Sequence, residues 1–441
     1  MSIEKNIHKG EKKNMKQKLL FLKRVAFVSL LFLFIGIISR NYVCKNIYAS
    51  EKKDTTITIQ EFIKKLEQVV EVEKNSLIKK GEFKDKKKKI TWKQVAILVN
   101  RADEFKNGTN YDKDLYEQVV KKNRLTGLKG LTTEEKKAAR LCFIKGIISG
   151  VSNGEYSQNR HFYANQIVTI KETNQILECL KNKKKRTKLS PDGQVIRTTN
   201  LPSTYKKFDY ILESFPNEFY EVGFSYQYSI YENFEPKNLE HYACPKDMKK
   251  LNYDTGYLDT TSFLDIYKLC KDRWIETIET NLKCRFNFDY RTVDEQWISK
   301  LANTYIDGTN ANESKAITDS IKRYIKTAKK NHVIIKADTI AVEPSTIYYE
   351  SGWGFLVRCH VKFKVNADTI YSRESGRQNE LLYAGSWQSV WIKNLKKNSW
   401  YEMDIDIAIG QQAGNQNPVT YKILDDSLCP RGIYPKKYLG D

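Results

Sequence analysis

The stretch "YEMDIDIAIG", residues 401–410, sets Asp404 and Asp406 two positions apart. On a strand they share a face, where a pair of carboxyls could work as acid and base. A solvated strand face gives the same pattern without any chemistry, and that is the reading taken. Thiol catalysis is the second candidate: a cysteine thiolate attacks while a histidine takes its proton. Cys359 and His360 are adjacent, so on a strand they point to opposite sides and cannot be that pair. Cys284 with His332 or His360 keeps the sequence separation such a system allows. The chain holds five histidines and eight cysteines, with no HExxH, GxSxG or CxxC, and no metal or cofactor is expected.

Charge gives a clearer direction than these groups. Lys and Arg number 75 against 53 Asp and Glu, a formal net charge of +22. That excess calls for a polyanionic neighbour: nucleic acid, membrane head groups or an acidic wall polymer. The N-terminus decides among them. A Lys-rich opening precedes a nearly unbroken apolar run over residues 25–38. This is short for a membrane span of about 20 residues and suits the core of a signal peptide. Cleavage near Ala49 or Ser50 fits "IYAS"; an uncleaved membrane anchor over residues 1–50 is the alternative. Export excludes intracellular nucleic acid and leaves membrane lipid, reached only through an uncleaved N-terminus, or the anionic polysaccharide of a Gram-positive wall. Beyond that segment stand Cys142, Cys179, Cys244, Cys270, Cys284, Cys359 and Cys429, an odd set read as buried thiols with one or two disulfides.

The elements that would position any site follow from periodicity. Residues 51–89 read as a charged helical linker, with Phe62, Leu66, Val69 and Val70 at helical spacing and "KDKKKK" as a solvated end. Residues 90–181 read as an all-α helical domain, closed by the basic run "KNKKKRTK", also read as solvated. Residues 182–258 form a connector whose many Tyr and Phe must lie on a domain. Residues 259–441 read as an α+β domain. Its first helix carries the stripe Phe263, Ile266, Cys270, Trp274, Ile278 and Leu282, and further helices are expected over 293–306 and 313–330. Strict alternation of Trp353, Phe355, Val357, Cys359, Val361, Phe363 and Val365 then marks a strand in an antiparallel sheet, with others at 333–344, 386–395 and 400–410.

One supersecondary unit stands out. "TTEEKKAARLCFIKGIISG" is a capped helix closed by Gly146 and Gly150, which supply the left-handed conformation that side chains resist. Ser152-Asn153-Gly154 makes a turn, and Thr169 with Glu172 opens the next helix as a capping box. This unit resembles the S-layer homology repeat, with its G-I-I-x-G turn and its I-T-R-A-E helix start; a second start is "ITWKQ" at residues 90–94.

The resemblance implies a helical prism of three repeats whose grooves bind pyruvylated secondary wall polymers. Carried over residue by residue, it implies polymer contacts from Thr91, Lys93, Gly146, Gly150, Asn153, Thr169, Lys171 and Glu172. The arginine position holds Trp92 in one copy and Ile170 in the other, so Lys93 and Lys171 would supply the charge. An ammonium lacks the guanidinium fork, which implies weaker and less selective binding. With two starts recognised, self-association is the route to a complete prism. The function expected is a non-catalytic surface protein held on wall polymer and presenting an α+β binding or scaffolding domain. The alternative is a wall-modifying enzyme, a hydrolase or transglutaminase-like protein, with its active site in the C-terminal domain.

Overall fold

A computed structural model describes residues 55–221, 242–243, 263–306, 311–350, 354–372, 374–385, 390, 392, 395–410, 421–425 and 433–439. The expected signal segment, Cys44, Cys244, Cys429, Trp353, Trp387, Trp391 and most of the expected strand over 386–395 lie outside these residues. In chain order the first elements are α1 (Ile59–Val70), α2 (Trp92–Asn107), α3 (Lys113–Lys121), β1 (Leu125–Thr126), α4 (Thr133–Ile144), β2 (Val151–Ser152), β3 (Arg160–His161) and α5 (Ile170–Lys181).

Four of these helices begin with a Thr capping box; α4 does so with Thr132 and Glu135, and the other three meet at one point. The threonines Thr58, Thr91 and Thr169 stand at the N-caps of α1, α2 and α5. Each offers its backbone N–H to the side chain three positions on: Glu61 at 2.8 Å, Gln94 at 2.9 Å and Glu172 at 2.8 Å. The residues just before the caps are joined in a closed circuit. Ile57 N–H donates to Val168 O (3.5 Å), Val168 N–H to Ile90 O (3.0 Å) and Ile90 N–H to Ile57 O (3.2 Å). One step outward the exchange repeats, from Ile59 to Lys88 O, Trp92 to Gln166 O and Ile170 to Thr55 O. The circuit satisfies extended backbone that no sheet covers, and its three side chains are buried at the centre.

Three expectations are corrected here. Residues 51–89 are not a linker, because Phe62, Ile63, Leu66 and Val70 of α1 join the same buried cluster as α2 and α5. An apolar stripe needs a partner, and the ring supplies one. Residues 90–181 are not purely helical: β3 pairs parallel with β1 and antiparallel with β2. The basic run at residues 181–188 is likewise no solvated tether. Arg186 reaches Asp103 at 2.5 Å, and Thr187 N–H donates to Gly146 O at 2.9 Å.

The remaining elements are α6 (Asn217–Glu221), β4 (Tyr242–Ala243), α7 (Phe263–Phe286), β5 (Asn287–Asp289), α8 (Glu295–Ala302), α9 (Ala311–Lys330), β6 (Ile334–Val342), β7 (Tyr348–Glu350), β8 (Gly354–Asn366), β9 (Trp400–Gly410), β10 (Lys422–Asp425) and β11 (Ile433–Leu439). The strands form one antiparallel sheet in the order β10-β9-β8-β6-β5, with β11 on β9 and β7 between β8 and β4. The helices α7, α8 and α9 lie on one face, giving an α+β arrangement. Phe355, Val357, Cys359, Val361, Phe363 and Val365 all point into that core with Trp274, Ile278 and Leu282, as their alternation predicts.

The opposite face departs from expectation. Across β8 and β9 the directly opposed pairs are Arg358 with Asp406, His360 with Asp404 and Lys362 with Glu402. Arg358, His360 and Asp404 are wholly buried, and Asp406 nearly so, so this is not a solvated strand face. The aromatic connector covers it: Phe208, Phe215, Phe219 and Tyr220 cluster there with Tyr156. Arg358 Nε donates to Asp406 Oδ1 at 2.9 Å and its Nη1 to Phe219 O at 3.3 Å. Tyr156 stacks flat on His360, ring centres 3.3 Å apart.

Under the same cover lies Glu343. Its carboxylate accepts from Tyr220 OH (3.2 Å), Ser345 Oγ (2.9 Å) and Thr346 N–H (2.9 Å). Burial outweighs these bonds and pushes the carboxyl up to about 8 from 4.5. The folded protein therefore holds a proton that the unfolded chain has released across that window, so folding stability falls as pH rises from 4.5 to about 8. Glu343→Gln is expected to flatten this part of the stability profile and leave the variant the more stable form above pH 8. Urea midpoints measured across the range check it; a parallel slope in the variant would assign the effect elsewhere.

Candidate functional site

The "GIISG" turn gets its shape from the end of α4. Gly146 N–H returns to Phe143 O at 2.8 Å and Ile147 N–H to Cys142 O at 2.9 Å, the paired bonds of a Schellman cap. Gly146 takes φ +67 and Gly150 φ +66. An added Cβ at Gly146 would stand 2.0 Å from Thr187 O, so this glycine lets residues 185–188 cross the turn at contact distance.

That crossing builds a cleft of about 1550 Å³. The turn residues Ile147, Ile148, Ser149 and Gly150 form one wall, with Lys185 and Thr187 beside them. The start of α5 brings Lys171 and Glu172, and Trp92 and Thr55 enter from the neighbouring arms of the ring. His161 and Tyr163 complete it. Its acids are already engaged: Glu172 Oε2 accepts from Thr169 N–H and Oγ, and Glu178 pairs with Lys181 at 3.2 Å. The lining thus brings lysine side chains, amides and aromatic faces together in one cleft.

The residues expected to contact polymer are spread over more than one cleft. Gly150, Lys171 and Glu172 line this cleft, while Lys93 lines a smaller one next to it. Thr91 and Thr169 serve as caps, and Gly146 sits beneath Thr187. Asn153 faces a third cleft and donates to Asn159 Oδ1 at 2.6 Å. Trp92, His161, Tyr163, Gln166 and Lys185 were missed. Trp92 carried a signal, since a large aromatic directly after an N-cap is surplus to helix formation; the others come together only through the ring.

Each catalytic candidate is buried or already paired. Cys359 lies in the helix-side core while His360 faces the connector, as adjacent strand positions require. His360 Nδ1 pairs with Asp404 at 2.8 Å, and His332 Nδ1 with Asp368 at 2.6 Å. Burial holds the thiols of Cys284 and Cys359 above their usual range, away from the thiolate a nucleophile needs. Asp404 and Asp406 are tied into the buried seam. Cys142, Cys179, Cys270, Cys284 and Cys359 are free thiols. No model of a known protein family, no curated protein and no solved structure matches this chain.

Proposed function

We propose that the protein is an exported, non-catalytic surface protein, held non-covalently on anionic wall polysaccharide through a module similar to S-layer homology repeats. The α+β domain is then the part presented for binding or scaffolding. The observation that carries this reading is the large cleft at the ring, where the "GIISG" turn, Lys171 and Lys185 meet Trp92 and Tyr163. Three capped helix starts closing one circuit within a single chain also support it. Apolar side chains hold the positions after the caps (Ile59, Trp92 and Ile170), so charge recognition falls to lysine and to the chain's net +22.

Co-sedimentation of the full chain with Gram-positive sacculi tests the proposal, before and after the covalently linked secondary polymers are stripped. Binding should survive moderate salt and disappear on stripping. Lys171→Ala should weaken it about two- to fivefold, the worth of one exposed ion pair of up to about 1 kcal/mol. Binding that persists on stripped sacculi, or ignores Lys171 and falls steeply with salt, would reduce the attachment to bulk charge.

A further inference from the structure

We infer that the large cleft and the smaller one beside it, of about 360 Å³, form a single track that one acidic polysaccharide chain crosses. This rests on the polymer-binding reading above and extends it to a second site. His161, Phe162, Tyr163 and Gln166 line both clefts, so β3 and the residues after it make a ridge with a wall in each.

The crest of the ridge is aromatic and rigid. Tyr163 is 48% exposed, and its ring centre lies 4.4 Å from that of His161. Phe162 N–H is fixed to Thr126 O at 3.0 Å and Gln166 N–H to Tyr163 O at 2.9 Å. Gly127, at φ +78, runs so close beneath that a Cβ would meet Phe162 O at 2.4 Å and His161 Nε2 at 2.8 Å. A large ring held open in this way offers an apolar face with a polar edge, the shape on which a sugar ring packs.

Cations flank the crest on both sides. Lys171 and Lys185 stand in the large cleft, Lys93 and Lys129 in the small one. Gln166 lies between them, its amide able both to donate to and to accept from sugar hydroxyls. Ammonium groups grouped on either side of an aromatic and amide crest suit a chain that carries acid groups at intervals between neutral sugar faces. A uniformly charged strand would be met by a continuous basic stripe instead. Two weak clefts on one ridge gain by linkage, because a chain held in the first presents its next acid group to the second at high effective concentration.

The test uses the full chain and the acidic polysaccharide released from Gram-positive sacculi, cut and sized into short and long fractions. Titration calorimetry should show the long fraction binding about tenfold tighter or more than the short one. Lys129→Ala should cut that gain about two- to fivefold while leaving short-fraction affinity within about twofold, and Tyr163→Ala should weaken both. The track is overturned if the length gain is missing, if Lys129→Ala leaves it unchanged, or if inorganic polyphosphate of similar length reproduces it. Loss of the gain alone leaves the sacculus-binding reading standing, whereas failure of both fractions to bind removes both.

Discussion

Arg358→Ala is expected to destabilise the protein by about 3–5 kcal/mol, the cost of leaving one partner of a buried ion pair alone. Arg358 is fully buried, and its guanidinium meets both oxygens of Asp406, at 2.9 and 3.2 Å. Removing it leaves a carboxylate in a dry seam, with Tyr348 OH at 2.8 Å as one remaining donor. It also frees Phe219 O from Arg358 Nη1, so the loosened seam reaches the connector. The loss should appear in urea denaturation as a lower midpoint and as early exposure of the aromatic cluster to fluorescence. Replacing both partners separates charge from shape. Arg358→Met with Asp406→Leu should recover most of the loss, since an apolar pair of similar volume matches or exceeds a buried ion pair. A double variant as unstable as the single would show that the hydrogen bonds to the connector carry the stability.

Pairing explains why this face is charged at all. An apolar face would also hold the connector, but it would tolerate sliding. Arg358 and His360 of the opposed pairs also meet the covering segments directly, Arg358 at Phe219 O and His360 at the Tyr156 ring. Tyr156 belongs to the loop that leaves the "GIISG" turn, and its N–H donates to Ser214 O at 2.6 Å. One loop thus begins in the wall of the large cleft and ends stacked on His360. The loop thus links the cleft to the sheet.

Much of this could be read from the sequence. The alternation over residues 355–365 predicts a one-sided strand because side-chain direction follows the pleat, and the glycines of "GIISG" announce left-handed backbone. What could not be read has a physical cause in each case. Alternation looks the same whether the polar side meets water or another segment, so Asp404 and Asp406 passed for a solvated face. Thr58 opens "TIQE" within a strongly charged stretch, and composition hid a capping box that matches Thr169 with Glu172. The ring itself is made of backbone bonds among Ile57, Ile90 and Val168, and backbone partners leave no mark on residue type. Lys185 enters the cleft through the crossing over Gly146 and Tyr163 through the backbone held at Thr126, and such contacts are equally silent in residue type.

Gly146→Ala is expected to destabilise by about 2–4 kcal/mol and to weaken polymer binding with it. The left-handed backbone at φ +67 alone costs an L-residue about 1 kcal/mol. The larger effect is steric: the new methyl would sit 2.0 Å from Thr187 O and 3.0 Å from Thr187 N, backbone atoms that cannot rotate away. Residues 185–188 must then lift, breaking the bond from Thr187 N–H to Gly146 O and carrying Lys185 and Thr187 out of the cleft wall. Gly154→Ala is the control. It also has positive φ, at +107, but nothing lies within 4 Å of its added Cβ, so it should show only the backbone cost and bind normally. Equal losses in the two variants would mean that conformation alone sets the penalty and that the crossing strand is held elsewhere. A Gly146→Ala protein that is destabilised yet binds sacculi fully would show that Lys185 and Thr187 frame the cleft without touching its ligand.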